Sequence, residues 1–181
     1  MAIWKIDPAH SEIKFKVKHM VVSTVTGQFN DFEATIESDK EDFSDAKVSF
    51  EANVNSINTK NEQRDTHLKS ADFFDASNYP KINFVSNSVN KKKDNEYEIK
   101  GDLTIRGIKK PVKLAVRFNG TVSGFGNQEI AGFEISGKIN RFDYGLKWNA
   151  LTEAGGIVVG DEVKLEIFAE LNKQQDATKA A

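Results

Sequence analysis

Three histidines, His10, His19 and His67, are the first residues to test for chemistry. Three imidazoles could hold zinc, but none shows the close paired spacing of a helical metal site. A structural hydrogen bond is the commoner use of each, and no metal site is assigned. His19 stands apart because it continues the parity of Ile13, Phe15 and Val17, at the end of an apolar stripe. An imidazole placed there either satisfies a backbone group or meets a polar head group arriving from solvent. Arg64, Asp65, His67 and Lys69 fall on a short charged stretch. As a helix it is either a solvated cover or, over the mouth of a barrel, a clamp for an anionic or amide head group. Arg141 shares the parity of Ile135 and Ile139; a bulge turning it outward is favoured over a guanidinium beside a cavity. An acid/base pair such as His19 with Asp65 is where an enzymatic reading would start, and nothing nominates a nucleophile.

Other chemistries are excluded by what is missing. There is no GxSxG, Walker A, HExxH or GxGxxG pattern. With no Cys, there are no disulfides, no thiol catalysis and no Cys-ligated metal centre. Asp39, Glu41, Asp42 and Asp45 lack EF-hand spacing and its central glycine, and read as a solvated turn. Gly124-Phe125-Gly126 also reads as a turn.

The elements that must position these residues follow a period of two, the signature of half-buried strands. Six stripes stand out: Ile13 to Val17, Ala46 to Val54, Tyr97 to Ile105, Val112 to Phe118, Phe133 to Ile139, and Val163 to Leu171. Residues 27–38 switch parity between Phe29 and Phe32, which predicts a bulge near Asn30 and Asp31. Residues 81–89, entered from Pro80, make an eighth strand. Asn119-Gly120 is a type I′ hairpin signal. Thr59 with Glu62 reads as a capping box that starts one helix. Met20-Val21-Val22 is a candidate second helical turn, and the polar segment 173–181 a flexible tail after a barrel of residues 1–172.

Eight antiparallel strands with one apolar face close into a barrel or fold into a sandwich, and helices do not alternate with them as a parallel sheet requires. The chain has 181 residues, enough for one core. Its 25 basic and 27 acidic residues leave a net charge of −2, with no bias toward nucleic acid. No apolar run is long enough for a membrane helix. The 13 Phe either fill a barrel or line a cavity, since eight strands suit both. Gly101, Gly137 and Ala52 on the inward face favour the cavity weakly.

Taken in order, several blocks resemble the YceI-like family. They are Trp4 through Ser11 (WKIDPAHS), Gly27-Gln28-Phe29, Arg64-Asp65 through Asp75, Tyr79-Pro80, Gly101 through Gly107, Arg141 through Gly145, and Val159 through Val163. The resemblance runs from about residue 3 to 171. It implies an all-β fold, an extended, lipocalin-like, eight-stranded antiparallel barrel with a short helix near the mouth, often as a homodimer. It also implies a long-chain lipid ligand, polyisoprenoid or fatty-acyl amide, with no other cofactor and no catalysis. An enzyme acting on such a lipid and a filled barrel without ligand are the alternatives. The expected apolar lining is Phe15, Val17, Phe29, Phe50, Phe84, Leu103, Phe118, Phe133 and Ile135. The expected head-group residues are His19, Arg64, Asp65 and His67. Many family members are periplasmic; the opening MAIWKIDPAH carries no leader pattern, so the expected location is the cytoplasm, or the periplasm had a leader been removed.

Overall fold

A computed structural model describes residues 1–153 and 156–175. Eleven strands run through them: β1 (Ala2–Ile6), β2 (Glu12–His19), β3 (Ser23–Phe29), β4 (Phe32–Ser38), β5 (Lys47–Asn53), β6 (Ile57–Asn58), β7 (Lys81–Lys93), β8 (Glu96–Ile105), β9 (Ile108–Ser123), β10 (Glu129–Asn140) and β11 (Val159–Lys173). One helix, α1 (Glu62–Lys69), separates β6 from β7. The hydrogen-bonded order β1-β4-β5-β7-β8-β9-β10-β11 returns to β1, where Trp4 pairs with Lys173 and Ile6 with Leu171. The ring is a closed, eight-stranded antiparallel barrel, the one of the two architectures allowed by the alternating stripes that the family resemblance implies.

The three remaining strands lengthen it. β2, β3 and β6 continue β1, β4 and β5 beyond bends at residues 7–11, 30–31 and 54–56, so three staves are each built from two pieces. The first bend is a side-chain device. Asp7 Oδ1 accepts the Ala9 N–H at 2.9 Å, and His10 Nδ1 lies 2.9 Å from Asp7 Oδ2. The Ser11 hydroxyl accepts the Glu170 N–H at 2.9 Å, which ties the corner to β11. Asn30 and Asp31 form the second bend: the Asn30 N–H reaches the Ser56 carbonyl and the Asn53 N–H the Asp31 carbonyl. The parity switch lies there, and it lets Phe29 and Ile36 both face inward.

At that end β6 and β7 do not pair. The gap is covered by α1 and by residues 70–80, with Leu68, Phe73 and Phe74 packed on the core. α1 starts two residues later than the capping box predicts: Asn61 is the N-cap, its Oδ1 accepting the Arg64 N–H at 2.9 Å. Thr59 instead bonds sideways to helix residues. Asn119-Gly120 is no hairpin either. Asn119 is the extra residue of a bulge inside β9, where Phe118 pairs with Phe133 and Gly120 with Gly132. The turn lies further on, at Gly124–Gln128, where Gly126 holds a φ of 66°. Met20–Val22 is the β2–β3 turn and not helical. Lys173, placed in the tail by sequence, is the last residue of β11; residues 176–181 lie outside the described residues.

Two inward glycines are occupied by rings. Phe15 pairs with Gly27 across β2–β3 and its ring covers that glycine, and the Phe84 ring covers Gly101. A Cβ on Gly101 would also collide with the Val85 carbonyl oxygen, which cannot move without shifting a strand. Gly132 has only ordinary contact, at 3.6 Å from Asn119 Cβ. Gly101→Ala is therefore expected to cost about 1–3 kcal/mol, and Gly132→Ala to change stability by no more than about 0.5 kcal/mol. Urea unfolding of the two variants checks the contrast.

Candidate ligand cavity and its mouth

The inward faces of the strands do not meet. They enclose a cavity of about 430 Å³ with an almost wholly apolar wall, within the range of roughly 300–1,000 Å³ usual for organic ligands. A filled barrel is thereby set aside. Phe15, Val17, Phe29, Phe50, Phe84, Leu103, Phe133 and Ile135 all lie on the wall. They come from six different strands, each contributing the residues of one parity. Phe118 does not reach it. It keeps the inward parity, opposite Phe133, but belongs to the end of the barrel: its ring packs against Phe43 (5.3 Å between centroids) and stacks on Phe133 (5.1 Å).

Those rings close one end. Phe43, in the loop between β4 and β5, turns inward and sits 5.1 Å from both Trp4 and Phe133. Its φ of 59° is left-handed, an unusual conformation for a phenylalanine. The acidic loop holds it there. The Asp45 carboxylate accepts the Ser38 hydroxyl at 2.6 Å and the Asp39 N–H at 3.0 Å. The Tyr97 hydroxyl donates to the Asp42 carbonyl. Asp42 accepts from the Ser44 hydroxyl and N–H and from Lys91, which together hold its pKa down at about 2. The cluster read as a solvated turn is the frame of a hydrophobic plug. Phe43 offered no signal of its own, being an isolated Phe in a charged run.

The polar part of the wall gathers at the opposite end, where Lys18, His19, Thr59, Arg64, His67 and Arg141 contribute. Arg64 Nε donates to Thr59 Oγ1 at 2.8 Å and Nη2 to the Thr59 carbonyl at 2.7 Å. Asp65 is engaged on the same threonine, accepting its N–H at 2.9 Å and its hydroxyl at 2.6 Å, and does not line the cavity. It anchors α1 to the end of β6 and is withdrawn from the mouth. His19 Nδ1 lies 3.5 Å from the Ser23 hydroxyl. His67 Nε2 lies 2.8 Å from Asp72, and its ring meets Trp148 edge-on at 4.7 Å and Phe73 at 5.1 Å.

Arg141 corrects the outward reading given by sequence. It is only 3 % exposed, and four backbone carbonyls accept from it: Leu146, Trp148 (2.8 Å), Gly160 (2.7 Å) and Val159 (3.2 Å). Burial lowers its pKa and the charge of Asp161 opposes the shift. The guanidinium binds both ends of the segment between β10 and β11 and sets Leu146 and Trp148 over the cavity. Trp148 and Thr59 are wall residues that strand periodicity could not reveal, since both lie outside strands.

A closed antiparallel barrel, plugged at one end and polar-rimmed at the other, with an apolar interior, places the chain among the hollow β-barrels. Residues 4–171 match the YceI-like domain, and the chain belongs to the YceI-like family. A UPF0312 protein of Staphylococcus aureus is 41 % identical over 173 residues, spanning 95 % of this chain and 98 % of the relative. The Campylobacter jejuni YceI protein is 31 % identical with a TM-score of 0.74, over 87 % of this chain and 90 % of that one. A polyisoprenoid binding domain from Saccharophagus degradans shares the fold with a TM-score of 0.68 at 13 % identity, over 94 % and 98 % of the two chains.

Two expectations follow from the ends of the cavity. Arg141→Met keeps much of the volume but strips four carbonyls of their donor. It is expected to cost about 3 kcal/mol and to speed hydrogen exchange at residues 146–149 and 158–160, read by mass spectrometry. Asp42 has its pKa depressed on folding, so its contribution is complete above the unfolded value near 3.8 and is lost as pH falls toward about 2. Asp42→Asn is expected to flatten stability against pH between 4 and 2, as measured by urea midpoints.

Proposed function

We propose that the protein binds and carries a long apolar chain, of polyisoprenoid or fatty-acyl type, inside the barrel. The observation that carries this reading is the cavity: about 430 Å³, apolar along its length, and closed at one end by Phe43. Apolar burial supplies roughly 0.8 kcal/mol per methylene. Ten buried methylenes therefore give about 8 kcal/mol before the costs of ordering the chain, and few polar contacts are needed. The polyisoprenoid binding domain of Saccharophagus degradans supports the same ligand class on a shared fold. A polar head would rest at the rim against His19, Arg64 and His67, with Arg64 Nη1 as the available donor because Nε and Nη2 are held by Thr59.

Binding is the reading favoured over catalysis. The pair from which an enzymatic reading starts, His19 with Asp65, is not assembled: Asp65 is engaged on Thr59 and His19 faces Ser23.

Native mass spectrometry of freshly purified protein is expected to show a copurifying lipid, or, after delipidation, uptake of isoprenoid or fatty-acyl probes. Protein that emerges uniformly ligand-free and ignores both probe classes would sink the proposal. Ile135→Trp, which fills the middle of the cavity from a wall position, is expected to weaken probe binding at least about tenfold with an unchanged circular dichroism spectrum.

A further inference from the structure

The mouth carries a second feature that the binding of a chain does not use. Two loop tips stand beside each other at the polar end. One is the β2–β3 turn with Met20, Val21 and Val22; the other is the segment before β11 with Leu151 and Ile157. All five side chains are exposed, Val22 at 87 % and Leu151 at 73 %. The tips are tied together: the Met20 N–H donates to the Val158 carbonyl at 2.8 Å, His19 pairs with Val159, and Leu151 bridges Ile157. Three consecutive exposed aliphatic residues are an unfavourable choice for a turn. The backbone is unfavourable as well, with φ of 50° at Met20 and 65° at Val21; for a β-branched residue that is an outlier. Exposure and strain at one spot mark a surface held ready for an apolar environment.

The patch is continuous with the cavity. Met20 follows His19, and Ile157 precedes Val158, and both His19 and Val158 line the wall. We infer that these two tips insert into the surface of a lipid bilayer and seat the mouth on it, so that the chain passes between membrane and barrel without crossing water. The inference rests on the proposed lipid cargo. Two features favour a bilayer over a second copy of the chain. Five side chains on two narrow tips fall far short of the roughly 20–30 residues a side of a stable protein interface, and a partner seated there would block the mouth. The exposed charges beside the tips are mixed, Lys18 and Lys147 against Glu153 and Asp161. Attachment is thus apolar and does not depend on anionic lipid.

Flotation of the full chain with phosphatidylcholine vesicles tests this, at 0.1 M and 1 M NaCl. The wild type is expected to float equally at both salt concentrations. Val22→Ser with Leu151→Ser, one change per tip, is expected to lower partitioning at least about tenfold. Phe125→Ser, at the fully exposed turn of the opposite end, is expected to change nothing. Absence of flotation by the wild type, equal flotation by the double variant, or an equal loss with Phe125→Ser would overturn the docking. So would a wild-type dimer in solution that the double variant splits. Binding of a soluble short-chain acyl probe without vesicles separates the two proposals. The double variant is expected to keep it; a wild type that floats but binds no probe would remove the cargo and leave the docking standing.

Discussion

A sheet can close on itself only if its first and last strands find each other, and here one stave does so across a corner. Residues 2–19 run as β1 and β2, and both pieces pair with β11. The corner between them is kept in register by Asp7, His10 and Ser11, the last bonded to Glu170 in the facing strand. Closure removes the exposed edges that would otherwise invite pairing with other chains. It also sets the diameter at which eight strands leave room for one ligand. Without the corner, the extension of β2, β3 and β6 would have no support, and α1 would have no gap to cover. His10 gains a pKa above the ordinary histidine value from its bond to Asp7 and the charge of Glu170. Its protonated form therefore belongs to the folded state, and that contribution fades as pH rises through the folded pKa.

The two ends are built on opposite principles. At the closed end, rings pack edge to face around Phe43, and the acidic loop is spent on backbone donors that hold one strained residue in place. At the open end a buried cation is satisfied by carbonyls alone. Arg141 suits that task because its planar fork can serve several acceptors at once. Tyr144, from the same turn, is buried enough that its pKa is pushed up to about 12. The segment carrying Trp148 is thus fastened at both of its roots.

Much of the wall was legible in the sequence. In strands of period two, an apolar residue at a given parity must face the core, so Phe15, Val17, Phe50, Phe84, Leu103 and Ile135 could be placed from spacing alone. The parity switch at Asn30 and Asp31 was legible for the same reason, although it is a bend between β3 and β4 and not the bulge expected. Phe118 has the inward parity that spacing gives it, opposite Phe133, but it packs into the aromatic end of the barrel with Phe43, a residue of a distant loop that spacing does not place. The rim was harder still. Arg64 and Asp65 are neighbours on one helix and both bond to Thr59, yet of the two only Arg64 also borders the cavity. Such a choice is made by a contact between elements, which spacing does not encode.

The sequence by itself determined the class of architecture: alternation sets one apolar face on each strand, and eight such antiparallel strands bury it as a barrel or a sandwich. It also determined the inward residues of the regular strands and the absence of thiol chemistry. Only the tertiary structure decided that the interior is hollow, that Phe43 closes it, that Arg141 points inward, and that the aliphatic tips of two separate loops meet at the mouth. Each of these depends on residues far apart in the chain whose relative placement exists only once the barrel has closed.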